Sequence, residues 1–226
     1  MILKPVKHLF QTMNTHLYII TALLFISIFL VGCGRQALVT TYYLLDYFPN
    51  PANKKIILEE PIPYKVQVMN FKIPRSFDSI RIIARYSSHQ INYFRYSLWA
   101  VRPQIAAADL LVQHVNAYRL FDKCQREFLE ERPEYEMTGE IFQIERYDSE
   151  KYSSAHLKMS FEFYDRENND LVTKHSFDRE NEIPKGNMAI FAKAVSDIIN
   201  EEAEVFLEKV ALHFYPEESD TLEVLD

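Results

Sequence analysis

The stretch "PRSFDSIRIIARYSSHQINYFRYSLWAVRP" at residues 74–103 decides the fold, because it predicts two strands followed by a helix. "IRIIARY" (80–86) and "INYFRYSLW" (91–99) are rich in β-branched and aromatic residues, and the polar "SSHQ" lies between them. Two such runs around a short polar turn are typical of a β-hairpin. Pro103 then opens a helical stretch. A hairpin followed by a helix indicates an α+β domain.

Apolar periodicity predicts the remaining elements. In the helix that begins at Pro103, apolar residues recur at helical spacing and form a stripe on one side: Ala108, Leu111, Val112, Val115 and Tyr118. Strands are predicted at 41–47, 64–68, 135–144, 155–163 and 171–177, and a last helix from the N-cap Asn187 to His213. A shift of apolar phase at Ile141 and Phe142 suggests a bulge. We therefore expect one α+β domain, with a mixed or antiparallel sheet and two helices packed on one face.

The amino terminus is typical of an export signal. Residues 1–16 carry Lys4 and Lys7 and no acid, and Leu17 to Val31 is uncharged and apolar. As a helix, that apolar run is roughly 22 Å long, which is shorter than the roughly 30 Å hydrocarbon core of a bilayer. The length favours a signal peptide over a permanent membrane helix.

The end of this segment, Leu30-Val31-Gly32-Cys33, resembles the bacterial lipobox. Leu30 and Gly32 would be recognised by the signal peptidase, and the Cys33 thiol would accept a diacylglycerol thioether. A diacylglycerol and an N-acyl lipid on Cys33 exceed the two signals needed for stable anchoring. Two alternatives are an uncleaved membrane helix and a disulfide between Cys33 and Cys124. If Cys33 is acylated, Cys124 is expected to be a lone, buried thiol.

The expected organisation follows from this anchor. By resemblance to Gram-negative lipoproteins, Gly34 in place of an Asp is a sorting signal that favours the outer membrane. We predict a signal peptide at 1–32, a lipid-anchored tether at 33–40, one domain at 41–214 and an acidic flexible tail at 215–226. The seven residues 34–40 reach at most about 25 Å, so the domain would face the periplasm close to its membrane.

Charge and glycine content exclude several classes of function. The formal net charge is −7, which disfavours nucleic-acid binding because phosphates are bound by clustered Lys and Arg. Beyond the tether only Gly139 and Gly186 remain, too few for a phosphate-binding loop. A G-x-S-x-G nucleophile elbow is also missing from the sequence.

The candidate catalytic residues are sparse. Ser87 and Ser88 beside His89 could be a nucleophile and its base, but a polar hairpin turn is the favoured explanation, since adjacency in sequence is not the geometry of a catalytic triad. The other histidines of the domain, His114, His156, His175 and His213, are scattered, although His156 and His175 lie on apposed strands. We therefore predict no enzyme, no metal and no cofactor other than the covalent lipid.

The order of motifs resembles that of the ABC-type transport auxiliary lipoprotein family, to which the paraquat-inducible protein C component belongs. The matching pieces are Cys33, "YYLL" at 42–45, Val66 to Pro74, Ile82 to Arg85 and Tyr93 to Pro103. Arg102 departs from the acidic residue expected before Pro103, which puts any contact of that acid in doubt.

The resemblance implies a domain like the amino-terminal domain of TolB and a non-catalytic role. The expected partners are an ABC permease complex and a mammalian-cell-entry-type substrate-binding subunit, and the expected cargo is lipid or another hydrophobic molecule moved between inner and outer membrane. The alternative is an outer-membrane lipoprotein of envelope assembly or structure without a transporter.

The second strand of the hairpin suggests an interface. In a regular strand, Tyr93, Arg95 and Trp99 share one face, and helices on one side of the sheet cannot cover both faces. Tyr, Trp and Arg are enriched at protein interfaces. We therefore predict that this face contacts a partner subunit or a second copy of the chain, although core packing is the favoured explanation for Tyr96 and Trp99.

Overall fold

The computed structural model describes residues 38–46, 58 and 60–216. The chain divides into two compact units, residues 1–39 and residues 40–226, and the second contains the folded domain. The predicted signal peptide, the lipobox residues Leu30, Gly32 and Cys33, the sorting residue Gly34 and most of the acidic tail lie outside the described residues, so these remain predictions. In the described ranges, no helix has both the length and the apolar character needed to cross a membrane.

The described part of the domain has eight strands and two helices. In chain order they are β1 Thr41–Tyr43, β2 Ile62–Val68, β3 Arg81–Ser87, β4 Gln90–Trp99, α1 Pro103–Tyr118, β5 Phe121–Gln125, β6 Tyr135–Asp148, β7 Ser153–Asp165, β8 Asp170–Ile183 and α2 Met188–Phe214. The predicted hairpin corresponds to β3 and β4, and both predicted helices are present.

The long strand β6 is the centre of a curled mixed sheet. One edge of β6 pairs with β7 in an antiparallel ladder over almost its whole length, and β7 pairs with β8. The other edge is shared, because its first residues pair in parallel with β2 and its last residues pair in parallel with β3. β4 and then β1 extend the sheet beyond β3, while β5 extends it beyond β2. The α+β class is confirmed.

Both helices pack against this sheet and against each other. Ala155, Leu157, Met159, Phe161 and Phe163 alternate along β7 and are fully buried. Opposite them, α2 buries Phe191, Val195, Ile199, Phe206 and Val210. The Asn187 side chain caps α2 by accepting hydrogen bonds from the backbone N–H groups of Ala189 and Ile190, at 3.0 and 3.2 Å. The apolar stripe of α2 and the apolar face of β7 therefore pack together in one core.

Strands β6 and β8 extend beyond the predicted 144 and 177, to Asp148 and Ile183, and β5 and β1 also differ from the prediction. β5 was not predicted, because only Phe121 and Cys124 are buried in its five residues and the alternation of a half-buried strand is missing. β1 is shorter than the predicted 41–47, since it is a strand only over Thr41–Tyr43. The predicted bulge in β6 is confirmed by a register shift between Ile141 and Gln143.

Candidate interaction surface and polar pocket

The outer edge of β4 is largely unpaired in the described part of the chain. β1 pairs only with Ser97, Leu98 and Trp99, so residues 90–96 have at most a strand neighbour on the β3 side, which pairs with residues 90–93. Most of their side chains are exposed. An open edge of this kind presents unpaired backbone groups to any partner that approaches it.

Arginines and aromatic residues cover this edge together. The Arg81 guanidinium lies 6.0 Å from the ring centre of Tyr93, and the Arg95 guanidinium lies 6.0 Å from that of Tyr96. The Tyr93 hydroxyl donates a hydrogen bond to the carbonyl of Ser76 at 3.3 Å, which brings the residue that follows Arg75 in the chain to this edge. We call the exposed group Tyr42, Leu44, Arg75, Arg81, Tyr93, Arg95 and Tyr96 the β4 edge surface.

The β4 edge surface is basic although the protein is acidic. Residues 72–102 contain six Lys and Arg residues and one acid, Asp78, so this segment carries a formal charge of +5 and the rest of the chain −12. Arg85 and Arg102 are neutralised by Glu145 and Asp78, respectively. Arg75, Arg81 and Arg95 form no ion pair with any described residue, so their charge is available to a partner.

Trp99 does not belong to the predicted face. Arg81 pairs with Leu98 and Ile83 pairs with Tyr93. An advance of two residues along β3 therefore corresponds to five residues along β4, so β4 contains three extra residues between these pairs. An odd number of extra residues reverses the alternation of faces. Trp99 is 2% exposed and packs on Phe191 at a ring distance of 5.7 Å. Core packing is therefore confirmed for Trp99, which does not share the exposed face of Tyr93 and Arg95, and is wrong for Tyr96, which is 36% exposed.

Asp78 lies beside Arg102, the residue that stands where an acidic residue is expected before Pro103. Arg102 is the N-cap residue of α1, and its Nη1 lies 3.2 Å from Oδ1 of Asp78. The same oxygen accepts a hydrogen bond from Nε2 of Gln104 at 2.7 Å. An acidic group at the start of a helix interacts favourably with the helix dipole. Here the loop before β3 supplies that group instead of the residue before Pro103.

A polar pocket of about 500 Å³ lies on the face of the sheet opposite the helices. Arg85, Glu145, His156, Glu180 and the rings of Tyr147 and Tyr152 line it. Glu145 pairs with His156 and His156 with Glu180 across three neighbouring strands. Strand register therefore aligns these charged side chains in one row.

Ion pairs inside the pocket fix the protonation of its buried carboxylate. Glu145 is 1% exposed, and its Oε1 accepts a hydrogen bond from Nε of Arg85 at 2.5 Å. Burial alone would raise the pKa of Glu145, but hydrogen bonds from His156 and Arg85 outweigh burial, so the pKa lies below its ordinary value. The hydrogen bond to Glu145, together with one to Asp178 at 2.7 Å, raises the pKa of His156. The second oxygen of Glu145, Oε2, has no hydrogen-bond partner among the described residues.

The candidate catalytic residues do not form a nucleophilic site in the described chain. Ser88 and His89 form the exposed turn between β3 and β4, with Oγ and Nδ1 2.8 Å apart, and no described carboxylate contacts His89. His156 and His175 do not meet, because His156 pairs with Glu180 and His175 with Phe161. Within the residues that the structure describes, no three His, Cys, Asp or Glu side chains are arranged to hold a metal ion.

The remaining titratable groups of interest are buried in the core. Cys124 is 3% exposed, as predicted, and forms no disulfide with any described residue, and burial raises the pKa of its thiol to about 12. His114 lies between the helices, where its Nε2 is 2.8 Å from Oδ1 of Asn200. Burial lowers the pKa of His114 to about 4, so its ring is neutral at pH 7. Both residues therefore have structural roles.

Comparison with known proteins identifies relatives of this domain. The family model of the ABC-type transport auxiliary lipoprotein component matches residues 43–205. A crystal structure of a DUF330-family protein from Xanthomonas campestris superimposes with a TM-score of 0.61 at 15% identity, covering 81% of this chain and 99% of that one. Another, of an uncharacterized protein, gives a TM-score of 0.58 at 11% identity, covering 76% and 99%. No curated protein sequence matches the chain. At these identities the structural likeness concerns the fold alone.

Proposed function

The chain belongs to the ABC-type transport auxiliary lipoprotein family, and from this membership we propose that it is a lipid-anchored, non-catalytic subunit of an ABC transport system in a Gram-negative envelope. Its partners would be the permease complex and a mammalian-cell-entry-type substrate-binding subunit. Its cargo would be lipids or other hydrophobic molecules that pass between inner and outer membrane. The body would face the periplasm, anchored through Cys33 and, given Gly34, in the outer membrane.

The family match is the observation that carries the proposal, since it spans 43–205 and therefore most of the folded domain. The site geometry is compatible with an adaptor. Arg85 and His156 of the pocket are paired with Glu145, and the β4 edge surface exposes arginines and aromatic rings. Residues of this kind are enriched at interfaces.

The transport role is tested by co-purification. A carboxy-terminally tagged chain, extracted from membranes in mild detergent, is expected to bring with it the permease, the ATPase and the substrate-binding subunit, identified by mass spectrometry. The matched control is residues 1–40 of this chain fused to an unrelated folded protein, because it shares the anchor but lacks the domain. If ABC subunits are missing from the full-length sample, or equally present in the control, the transport role is wrong and the envelope-structure alternative is favoured.

The lipid anchor is tested by counting thiols. The chain has two cysteines, and acylation of Cys33 would leave Cys124 as its single thiol. Because Cys124 is buried and its pKa is raised to about 12, it is expected to resist a maleimide in the native protein. We therefore expect no label on the native protein and one label after denaturation, by intact mass.

The other assignments of Cys33 give different counts. An uncleaved helix with a free Cys33 would allow one label on the native protein and two after denaturation. A disulfide with Cys124 would allow no label on the native or the denatured protein until a reductant is added, and two labels on the denatured protein afterwards. A Cys33→Ala variant is the control, since it should keep the behaviour of Cys124 but lose acyl labelling and retention in the membrane fraction.

A further inference from the structure

The tether enters the domain at the edge that carries the unpaired arginines. β1 begins at Thr41, only eight positions after Cys33, and pairs residue by residue with Ser97, Leu98 and Trp99 at the end of β4. The seven residues between Cys33 and Thr41 span at most about 25 Å. A membrane that holds an acylated Cys33 therefore lies within reach of the β4 edge surface.

The chemistry of this surface matches a membrane interface. Arg75, Arg81 and Arg95 are exposed and form no ion pair within the described residues, and guanidinium groups bind phosphate oxygens well. Tyr42, Tyr93 and Tyr96 are 59%, 38% and 36% exposed. Tyrosine rings are typical of the headgroup level of bilayers, where one end is apolar and the other polar. Leu44, 60% exposed, adds an apolar side chain at the same edge.

The charge distribution would orient the domain. The segment 72–102 carries +5, whereas the rest of the chain carries −12. Because Arg75, Arg81 and Arg95 lie in the first segment, an anionic membrane attracts this part of the chain, whereas it repels the net negative charge of the rest. Each basic residue near an anionic surface strengthens the attraction roughly fivefold, and this attraction weakens as salt screens it.

We propose that the β4 edge surface lies against the anionic phospholipid headgroups of the membrane that holds the anchor. The docking rests on the proposed Cys33 anchor for proximity but on the three arginines for contact. The sequence predicts that Tyr93 and Arg95 contact a protein partner, whereas we propose that they contact lipid.

Hydrogen exchange of the full-length, membrane-extracted protein tests this docking. The protein is reconstituted into vesicles of phosphatidylcholine alone or with one quarter phosphatidylglycerol. The outward backbone N–H groups of residues 91–96 have no strand partner in the described chain. We expect these amides to exchange at least about fivefold more slowly on the anionic vesicles, and this protection to disappear at high salt.

Charge-reversal variants provide the control. Arg81→Glu with Arg95→Glu should abolish the protection of residues 91–96. Arg132→Glu with Arg166→Glu makes the same charge change at exposed positions near the opposite end of β6 and should preserve it. If the Arg132→Glu, Arg166→Glu variant also lost the protection of residues 91–96, the net charge of the protein alone would explain the protection. That result would overturn the proposal.

Two further results separate docking from anchoring. Equal exchange on both vesicle types, with the protein retained through a high-salt wash, would overturn the docking while the anchor stands. Loss of the protein in that wash would overturn the anchor, and salt-sensitive protection of residues 91–96 on anionic vesicles would still support the docking. Protection that appears only when purified ABC subunits are added would assign this edge to a protein and overturn the proposal.

Discussion

A Phe161→Ala variant is expected to lose about 4 kcal/mol of unfolding free energy, a large share of the roughly 5–15 kcal/mol typical of a domain. Phe161 lies on β7 and is fully buried. Its ring lies 5.3 Å from that of Phe206 on α2, 5.8 Å from Phe71 and 6.0 Å from Phe177 on β8. Removing it leaves a cavity at a point where β7, α2, β8 and the segment before β3 all meet.

The measurement is urea unfolding followed by circular dichroism, with the slope of the transition checked to be unchanged. The matched control is Phe177→Ala, because Phe177 touches the same ring but is only half-buried. Phe177→Ala should lower the unfolding free energy by less than half as much as Phe161→Ala. A loss below about 1 kcal/mol for Phe161→Ala would mean that the core can collapse around the cavity, and that this ring does not join the helix to the sheet.

A Gly139→Ala variant is expected to lose about 3 kcal/mol because a side chain does not fit at this point of β6. A Cβ there would lie 2.0 Å from the carbonyl oxygen of Ser160 and 3.2 Å from Cε2 of Phe71. The first of these atoms is backbone in the β6–β7 ladder. The other side is also occupied, because the Gly139 carbonyl accepts a hydrogen bond from the N–H of Lys72 at 2.8 Å. The clash can therefore be relieved only by moving β7 or the segment before β3.

Gly186→Ala is the matched control for the loss of a glycine. Gly186 has φ +79°, but nothing lies within 4 Å of the position of a Cβ. Only the left-handed backbone opposes the substitution, at roughly 1 kcal/mol. The two variants are compared by thermal and urea unfolding. An equal loss for both, or a larger loss for Gly186→Ala, would contradict the close approach of β6 and β7 at Gly139.

The hairpin and both helices could be predicted because their signals lie within single elements. The polar turn between two aromatic runs, Pro103 at the start of α1 and Asn187 before α2 are all local features. The same holds for the bulge at Phe142, which appears as a change of apolar phase within β6. β5 was missed because a short edge strand next to β2 has too few buried residues to produce a pattern.

The candidate site was only partly predictable. Tyr93 and Arg95 were identified from residue type alone, but Trp99 was placed on the wrong face, because its burial depends on three extra residues in β4 that only pairing with β3 reveals. The pocket was not predicted at all. Glu145, His156 and Arg85 are far apart in the chain and look like ordinary charged residues, and Glu145 is buried only because strands β3, β6 and β7 bring its partners together.

By itself, the sequence determined the α+β class, the positions of the helices and the hairpin, and the family. These depend on hydrophobic periodicity, caps and turn residues, which act between residues close in the chain. The tertiary structure alone decided that Trp99 is buried, that Glu145 lies in a charged row and that β1 brings the tether to the basic edge of β4. These depend on the pairing of distant strands, where a shift of one or three residues moves a side chain from one face of the sheet to the other.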